Sequence, residues 1–165
     1  MFANKREEEF FMNHLNNDQK VLEWGSGEST IQISNRVKEI ISIEHQGQWF
    51  DSIMQRKPDN VYLYLGKPNL PYREGGHDGT YEEFKDYCDF PLDKGPFDII
   101  LIDGRARVKC AENALKLCHE KTLIFIHDFD RVELHTVCDF LEKISCQGTM
   151  CSFRPKKQPD INIKK

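Results

Sequence analysis

The segment Val21-Leu22-Glu23-Trp24-Gly25-Ser26-Gly27 constrains the fold most, because an apolar strand runs directly into a glycine turn. Two glycines at positions i and i+2 allow a sharp turn and let a ligand approach the backbone closely. Ser29 and Thr30 follow where a helix is predicted to begin. Their hydroxyls can cap that helix, whose free N–H groups can meet a ligand carboxylate. This strand, turn and helix together predict a site for an adenosine-type cofactor.

The rest of the chain alternates between strand and helix patterns, which predicts an α/β fold with a doubly wound, mostly parallel sheet and helices on both faces. We expect a single domain over residues 1–165, with a lead-in helix within 1–16 and a flexible polar tail at 155–165. The predicted strands are 21–22, 39–43, 61–65, 97–102, 122–126 and 149–153. The predicted helices are 5–15, 29–36, 48–55, 81–88, 106–119 and 131–144. The glycine-rich loop at 75–79 is predicted to be a lid or a disordered excursion.

Polar residues follow the predicted strands, at the sheet edge where such folds bind ligands. Glu44 ends the second strand, and a carboxylate there can accept the hydroxyl groups of a ribose. Asp103 follows the fourth strand, and His127 and Asp128 follow the fifth. The two aspartates can orient a hydroxyl, act as a base or hold a divalent cation, and His127 can act as a base near neutral pH.

These segments resemble motifs of the class I S-adenosylmethionine-dependent methyltransferases. Residues 21–27 resemble motif I of that superfamily, Ile43-Glu44 resembles its strand-two acid, and residues 98–104 resemble its strand-four motif. The resemblance extends over roughly residues 16–131. It implies the fold of that superfamily, with the last two strands shortened here, and methyl transfer from S-adenosylmethionine.

The resemblance also implies roles for individual residues. Glu23 and the glycine turn would hold the methionine end of the cofactor, Glu44 the ribose, and His45 would lie near the adenine or ribose. Adenine contacts would shift to the loop at 79–81, and Asp103 would face the methyl group. The cofactor-binding residues predicted in this way are Glu23, Trp24, Gly25, Ser26, Gly27, Ser29, Thr30, Glu44, His45, Tyr81 and Asp103.

The acceptor is predicted to be a hydroxyl group of a sugar or another small molecule. This prediction rests on the grouping of Asp103, His127 and Asp128 as catalytic residues, and on the lack of an Asn-Pro-Pro-Tyr-type motif for amino methylation. Some superfamily members that methylate hydroxyls bind magnesium with acids after strands four and five. Asp103 and Asp128 match those places and are the predicted metal ligands.

Two other classes of function stay open. A nicotinamide-dependent oxidoreductase is one, although Thr30 stands where the dinucleotide fingerprint has its third glycine. A non-catalytic cofactor-binding module of a larger assembly is the other. Purely structural roles also stay open: the glycines as a tight turn, Glu44 as a solvated strand end, Asp103 and Asp128 as helix caps, and His127 as a buried structural histidine. Arg105 and Arg107 are either solvated or steer an anionic or polyhydroxyl acceptor.

Composition limits the partners. The net charge of −4 and a pI near 5.9 argue against a protein whose main function is to bind the phosphate backbone of a nucleic acid. No apolar run reaches membrane-spanning length, and Met1 to Glu9 lack the apolar core of a signal peptide. The six cysteines form no CxxC pair, which favours reduced thiols, no zinc and a cytoplasmic location. A homodimer is a further expectation.

Overall fold

Residues 4–73 and 77–157 are described by the computed structural model, and they contain a sheet of seven strands. The strands are β1 (Lys20–Trp24), β2 (Glu39–Glu44), β3 (Val61–Leu65), β4 (Phe97–Ile102), β5 (Cys118–Ile126), β6 (Leu141–Gln147) and β7 (Met150–Pro155). Their order in the sheet is β3-β2-β1-β4-β5-β7-β6. The first five strands pair in parallel, whereas β7 is antiparallel to both β5 and β6. The predicted mostly parallel α/β sheet is therefore confirmed.

Short helices precede β1 and connect the strands as far as β6. The α-helices are α1 (Lys5–Met12), α2 (Glu28–Ser34), α3 (Gly47–Met54), α4 (Lys85–Asp89) and α5 (Arg107–Ala114). Three 3-10 helices lie at Phe90–Asp93, Leu115–Leu117 and Val132–Asp139. Within the described residues, no helix is long and apolar enough to cross a membrane.

Alternate residues of the central strands belong to two separate hydrophobic clusters. In β4, Ile99 and Leu101 join the cluster that includes buried residues of α1, α2 and α3, whereas Ile100 and Ile102 join the one with residues of α4 and α5. Side chains of a strand point alternately to opposite faces, so both faces of β4 are buried. This explains why the strand reads as a continuous apolar run.

The prediction is accurate in the central sheet and wrong near the C-terminal end of the chain. β3 and β4 have the predicted bounds. The helix predicted over 131–144 is wrong, because a 3-10 helix at Val132–Asp139 leads into β6. The apolar residues there have helical spacing, but pairing with β7 overrides this local preference. β6 and β7 have seven and six residues, so the last two strands are not shortened.

The prediction of six reduced cysteines is also wrong for one pair. Cys146 and Cys151 form a disulfide within the hairpin of β6 and β7. They are register partners, with their Cα atoms 4.1 Å apart, and such cross-strand neighbours are close enough to be linked. Free thiols are found at Cys88, Cys110, Cys118 and Cys138.

Two predicted segments lie largely or partly outside the described residues. Gly75 and Gly76 of the glycine-rich loop are among the residues not described, as is most of the predicted tail, from 158 to 165. The part of the loop that is described is anchored, because Ala106 and Arg107 both donate backbone hydrogen bonds to Asp78.

Candidate functional site

A cavity of about 520 Å³ opens at the carboxyl ends of β1, β2 and β4. This volume lies in the usual range for sites that bind small molecules. The position is the one that the strand-end residues predict. The lining residues are Gly25, Ser26, Gly27, Glu28, Glu44, His45, Gln46, Trp49, Asp103, Gly104, Arg105, Arg107 and Arg131.

Gly25 allows the loops after β1 and β4 to touch. Its φ of +101° is in the region that favours glycine, and a Cβ atom there would lie 2.7 Å from the carbonyl oxygen of Asp103. Its N–H donates to the carbonyl of Ile43 over 2.9 Å. The N–H groups of Ser26 and Gly27 donate to the side chains of Glu44 and Thr30. The glycine turn therefore offers close approach to a ligand, while its own N–H groups are engaged within the protein.

Glu44 connects the glycine turn with the end of β2. Its Oε2 accepts the N–H of Ser26 over 2.9 Å, and its Oε1 accepts those of His45 and Gln46 over 2.9 and 2.8 Å. The residue is only 3% exposed, yet it lines the cavity. A carboxylate has about four lone-pair sites, so Oε2 retains one for a ligand hydroxyl. The predicted strand-two acid is thus in the cavity wall.

Glu23 lies behind the glycine turn, among hydroxyl groups. Its carboxylate accepts hydrogen bonds from Ser29, Thr30 and Ser42 over 2.7, 2.6 and 2.6 Å. Burial raises the pKa of Glu23 to about 7, although the three hydroxyls act to lower it. Glu23, Ser29 and Thr30 do not line the cavity. The structure therefore places these three predicted cofactor-binding residues in the support of the turn, behind the cavity wall.

Trp24 and Tyr81 also lie away from the cavity. Trp24 is fully buried, and its indole N–H donates to the carbonyl of Tyr87 over 3.0 Å. The hydroxyl of Tyr81 donates to Asp89 over 2.8 Å, and its ring lines a separate groove together with Gly79. The cavity wall formed by the described residues thus includes neither predicted aromatic residue.

His45 lines the cavity and has an aromatic environment. Its ring packs edge-on against those of Tyr72, Phe84 and Tyr87, with centroids 5.8, 5.6 and 5.9 Å apart. Both ring nitrogens are buried without a hydrogen-bond partner among the described residues. Nδ1 lies 3.0 Å from Glu44 Oε1, but without the geometry of a hydrogen bond. Buried polar atoms of this kind are usually satisfied, so the ring nitrogens are suited to a ligand.

His127 lies between two buried carboxylates. Its Nδ1 is 2.8 Å from Asp103 Oδ1, and its Nε2 is 3.3 Å from Glu7 Oε2 of α1. Burial lowers the pKa of His127, but Asp103, Asp128 and Glu7 more than offset this, so the pKa is raised overall. Burial acts to raise the pKa of Asp103, but His127 and Arg107 bring it below its ordinary value. The structure thus favours an imidazolium beside a carboxylate, and of the pair only Asp103 lines the cavity.

Asp128 faces two guanidinium groups. Its Oδ2 accepts hydrogen bonds from Arg107 over 2.9 Å and from Arg131 over 2.8 Å. Its φ of +53° turns the chain after β5, and its carboxylate lies outside the cavity wall. Burial raises the pKa of Asp128, but the charge and hydrogen bond of Arg107 bring it below the ordinary value.

The predicted metal ligands do come together. Asp103, His127 and Asp128 offer ligand atoms within 4.8 Å of one another. However, the Nδ1 atom of His127 is hydrogen-bonded to Asp103, and the Asp128 carboxylate is bound by two arginines. A divalent cation would have to displace these contacts and would place its charge beside that of Arg107. The residues present therefore do not fit a metal ion.

Several residues of the site escaped sequence analysis. Glu7 is fully buried and accepts the backbone N–H and hydroxyl of Thr149 over 2.6 and 3.0 Å, but it looks like one of three successive acids on a surface helix. Gln46, Trp49 and Arg131 line the cavity but belong to no motif. For Gln46, a signal was present, since it comes directly after the strand-two acid and His45.

Comparison by sequence finds no matching family model and no matching curated protein. Comparison of structures finds a methyltransferase-like protein from Silicibacter pomeroyi, with 22% identity and a TM-score of 0.70, over 96% of this chain and 90% of that one. The N-methyltransferase NodS from Bradyrhizobium japonicum, in complex with S-adenosyl-L-homocysteine, has 14% identity and a TM-score of 0.59, over 93% and 88%.

A third similar structure is the methyltransferase MycE of mycinamycin biosynthesis, in complex with Mg, S-adenosylhomocysteine and mycinamycin VI. It has 13% identity and a TM-score of 0.61, over 93% of this chain and 45% of MycE. At these identities the likeness concerns the fold. The chain has a class I S-adenosylmethionine-dependent methyltransferase-like fold.

Proposed function

We propose that this protein transfers a methyl group from S-adenosylmethionine to an acceptor bound in the same cavity. The observation that carries the proposal is the cavity wall formed by Gly25–Gly27 and Glu44, at the carboxyl ends of β1 and β2. Similar structures include one in complex with S-adenosyl-L-homocysteine. The free lone pair of Glu44 Oε2 would accept a ribose hydroxyl, and the buried nitrogens of His45 would bind the adenine or ribose.

The methionine end would meet the glycine turn and the arginines beside it. The turn brings the backbone close, but its N–H groups are engaged, so donors for a carboxylate must come from side chains. Arg131 lines the cavity and donates through NH2 to Asp128, which leaves other N–H groups for a ligand.

For the acceptor, we propose a hydroxyl group of a sugar or another small molecule. The sulfonium supplies an activated methyl group, and the protein must align the acceptor oxygen with it. Asp103 would accept a hydrogen bond from that hydroxyl and take its proton as the new O–C bond forms and the C–S bond breaks. Because its pKa is held below the ordinary value, Asp103 would act mainly by orienting the acceptor. His127 and Asp128 would act through Asp103 and Arg107, since neither lines the cavity.

The strand order and the contacts of Thr30 argue against a nicotinamide-dependent oxidoreductase, but they do not bear on a non-catalytic module. Dinucleotide-binding sheets have the strand order 3-2-1-4-5-6, whereas here an antiparallel β7 lies between β5 and β6. The Thr30 hydroxyl also accepts the Gly27 N–H and donates to Glu23, at the place where a pyrophosphate site prefers glycine. A non-catalytic module with the same cofactor site is distinguished only by an assay of transfer.

Calorimetry tests the cofactor. We expect S-adenosylmethionine to bind and NAD not to bind, and Glu44→Ala to abolish binding. Glu39→Ala is the matched control, because Glu39 lies at the other end of β2 and pairs with Lys20 over 3.3 Å. Failure of the wild-type protein to bind S-adenosylmethionine, with Glu44→Ala unchanged from it, would refute the proposal.

A transfer assay tests the reaction. Formation of S-adenosylhomocysteine would be followed over a panel of glycans, phenols and amines. Transfer to hydroxyl acceptors that is lost in Asp103→Asn supports the enzyme. Cofactor binding without transfer to any member of a broad panel supports the non-catalytic module, and transfer to amines alone would overturn the proposed acceptor.

A further inference from the structure

Three carboxylates from three segments surround the guanidinium group of Arg107. Its NH1 lies 2.9 Å from Asp128 Oδ2, its Nε lies 3.6 Å from Asp78 Oδ1, and its NH2 lies 3.8 Å from Asp103 Oδ1. Arg107 is only 5% exposed, so these charges interact in a poorly solvated environment. Arg107 is thus the cationic centre of the site.

Backbone carbonyls complete this environment. Nε donates to the carbonyl of Gly104 over 3.1 Å, and NH1 donates to that of His127 over 3.0 Å. Carboxylate and carbonyl oxygens from the loops after β4 and β5 therefore converge on one buried positive charge. Oxygen atoms of these two kinds are the ligands that hard divalent cations take in proteins.

We propose that the guanidinium group of Arg107 takes the place of a divalent cation in this site and holds the acceptor oxygen through NH2, the nitrogen that donates no hydrogen bond to a described residue. The acceptor part of this inference rests on the proposed methyl transfer, whereas the replacement of a cation does not. A guanidinium cannot lose its proton in a protein, and its planar fork binds oxygens in fixed directions. It can therefore supply positive charge at this position without a metal ion.

Melting temperature in the presence of Mg²⁺, Mn²⁺ or EDTA tests the replacement. In the wild-type protein we expect these additions to change the melting temperature by less than about 1 °C, because nothing that binds the folded state is added. Arg107→Met keeps much of the side chain but removes the positive charge that Asp78, Asp103 and Asp128 share. We expect it to melt at a lower temperature and millimolar Mn²⁺ to restore at least half of the loss.

Arg131→Met is the matched control. Arg131 also donates to Asp128, but its side chain is 38% exposed at the rim of the cavity. We expect a smaller decrease in melting temperature and no response to Mn²⁺. A folded Arg107→Met protein that does not respond to Mn²⁺ would overturn the proposal.

Binding of Mn²⁺ to the wild-type protein, followed by water-proton relaxation, decides the question if Arg107→Met does not fold. No binding at millimolar Mn²⁺ supports the replacement, and binding that Asp103→Asn abolishes overturns it. In the transfer assay, equal rates with EDTA and with Mg²⁺ are expected. Absence of all transfer would count against the proposed methyl transfer, while the relaxation measurement would still test the role of Arg107.

Discussion

Glu23 and Asp103 are buried carboxylates at the ends of the adjacent strands β1 and β4, but their surroundings differ. Three hydroxyl groups surround Glu23, and burial raises its pKa to about 7. His127 and Arg107 surround Asp103, and they hold its pKa below the ordinary value in spite of burial. Hydroxyls stabilise a buried charge less than cations do. Near pH 7, Glu23 is therefore only about half ionised, whereas Asp103 is ionised.

This difference matches the positions of the two residues. Asp103 lines the cavity, where an ionised group can orient a ligand, whereas Glu23 lies behind the glycine turn. A partly protonated carboxyl group there supports the turn without placing a second full negative charge beside Asp103. Glu23 and Asp103 both carry a carboxylate and both lie at a strand end. Their different roles therefore follow from the groups that surround each carboxylate.

The largest effect is expected for Asp103→Asn, which removes the charge that pairs with the buried His127 and Arg107. Breaking a buried ion pair by removing one partner commonly costs about 3–5 kcal/mol. We expect the free energy of unfolding at pH 7, measured with denaturant, to fall by about this amount.

Asp98→Asn provides the control at the opposite end of the same strand. Asp98 pairs with His119 over 3.0 Å, but both side chains are over 30% exposed, at 38% and 33%. Exposed pairs are worth roughly 1 kcal/mol or less. Equal losses for the two variants would contradict the view that cations stabilise a buried charge at Asp103.

For Glu23→Gln, we expect the pH dependence of stability to change. The unfolded chain loses this proton near pH 4.5, whereas the folded protein keeps it until about pH 7. Stability therefore falls as the pH rises between these values, by up to about 3 kcal/mol, and stays level above them. The neutral amide removes this contribution. The difference between the unfolding free energies of the variant and the wild type, measured from pH 4 to pH 8, should shift in favour of the variant with rising pH. A constant difference would show that folding does not change the pKa of Glu23.

Sequence analysis predicts the parts of this molecule that depend on local pattern. β4 reads as a strand because the run of isoleucine and leucine in 97–102 is buried on both faces. Glu44 and Asp103 line the cavity because Glu44 ends one parallel strand and Asp103 directly follows another. The turn at Gly25 was predictable because two closely spaced glycines follow an apolar strand.

Partners that are distant in the chain were not predictable. Glu7 and His127 are 120 residues apart, and nothing near Glu7 in the sequence marks it as buried. Arg107 could not be separated from a solvated arginine, because its environment comes from Asp78, Asp103 and Asp128 together. The helix predicted over 131–144 failed because strand pairing, a tertiary contact, outweighed helical spacing.

Glu7→Gln changes the carboxylate that contacts Nε2 of His127, on the other side of the ring from Asp103. We expect a smaller loss of stability, about 1–3 kcal/mol, which is the usual cost of disturbing a buried hydrogen-bonded group. Loss of its negative charge should lower the pKa of His127, which NMR titration of the imidazole would measure. Glu9→Gln on the same helix is the control, because Glu9 is exposed and its one ion-pair partner among the described residues is Lys5, over 3.6 Å. An unchanged pKa of His127 would mean that Asp103 and Asp128 alone keep the imidazole charged.

The smallest effect is expected for Ser29→Ala, which removes one of three hydroxyl donors from Glu23. A single hydrogen bond contributes about 1 kcal/mol net, so the loss of stability should be of that order. The pKa of Glu23 should rise further, because burial is then opposed by two hydroxyls. Ser34→Ala is the control on the same helix, since the Ser34 hydroxyl donates to the carbonyl of Ile31 over 2.7 Å and does not touch Glu23. If the pKa of Glu23, obtained from the pH dependence of unfolding, responds equally to both variants, then local hydroxyl donors do not set its charge. Burial alone would then set the pKa of Glu23, and its contrast with Asp103 would come from His127 and Arg107 beside Asp103.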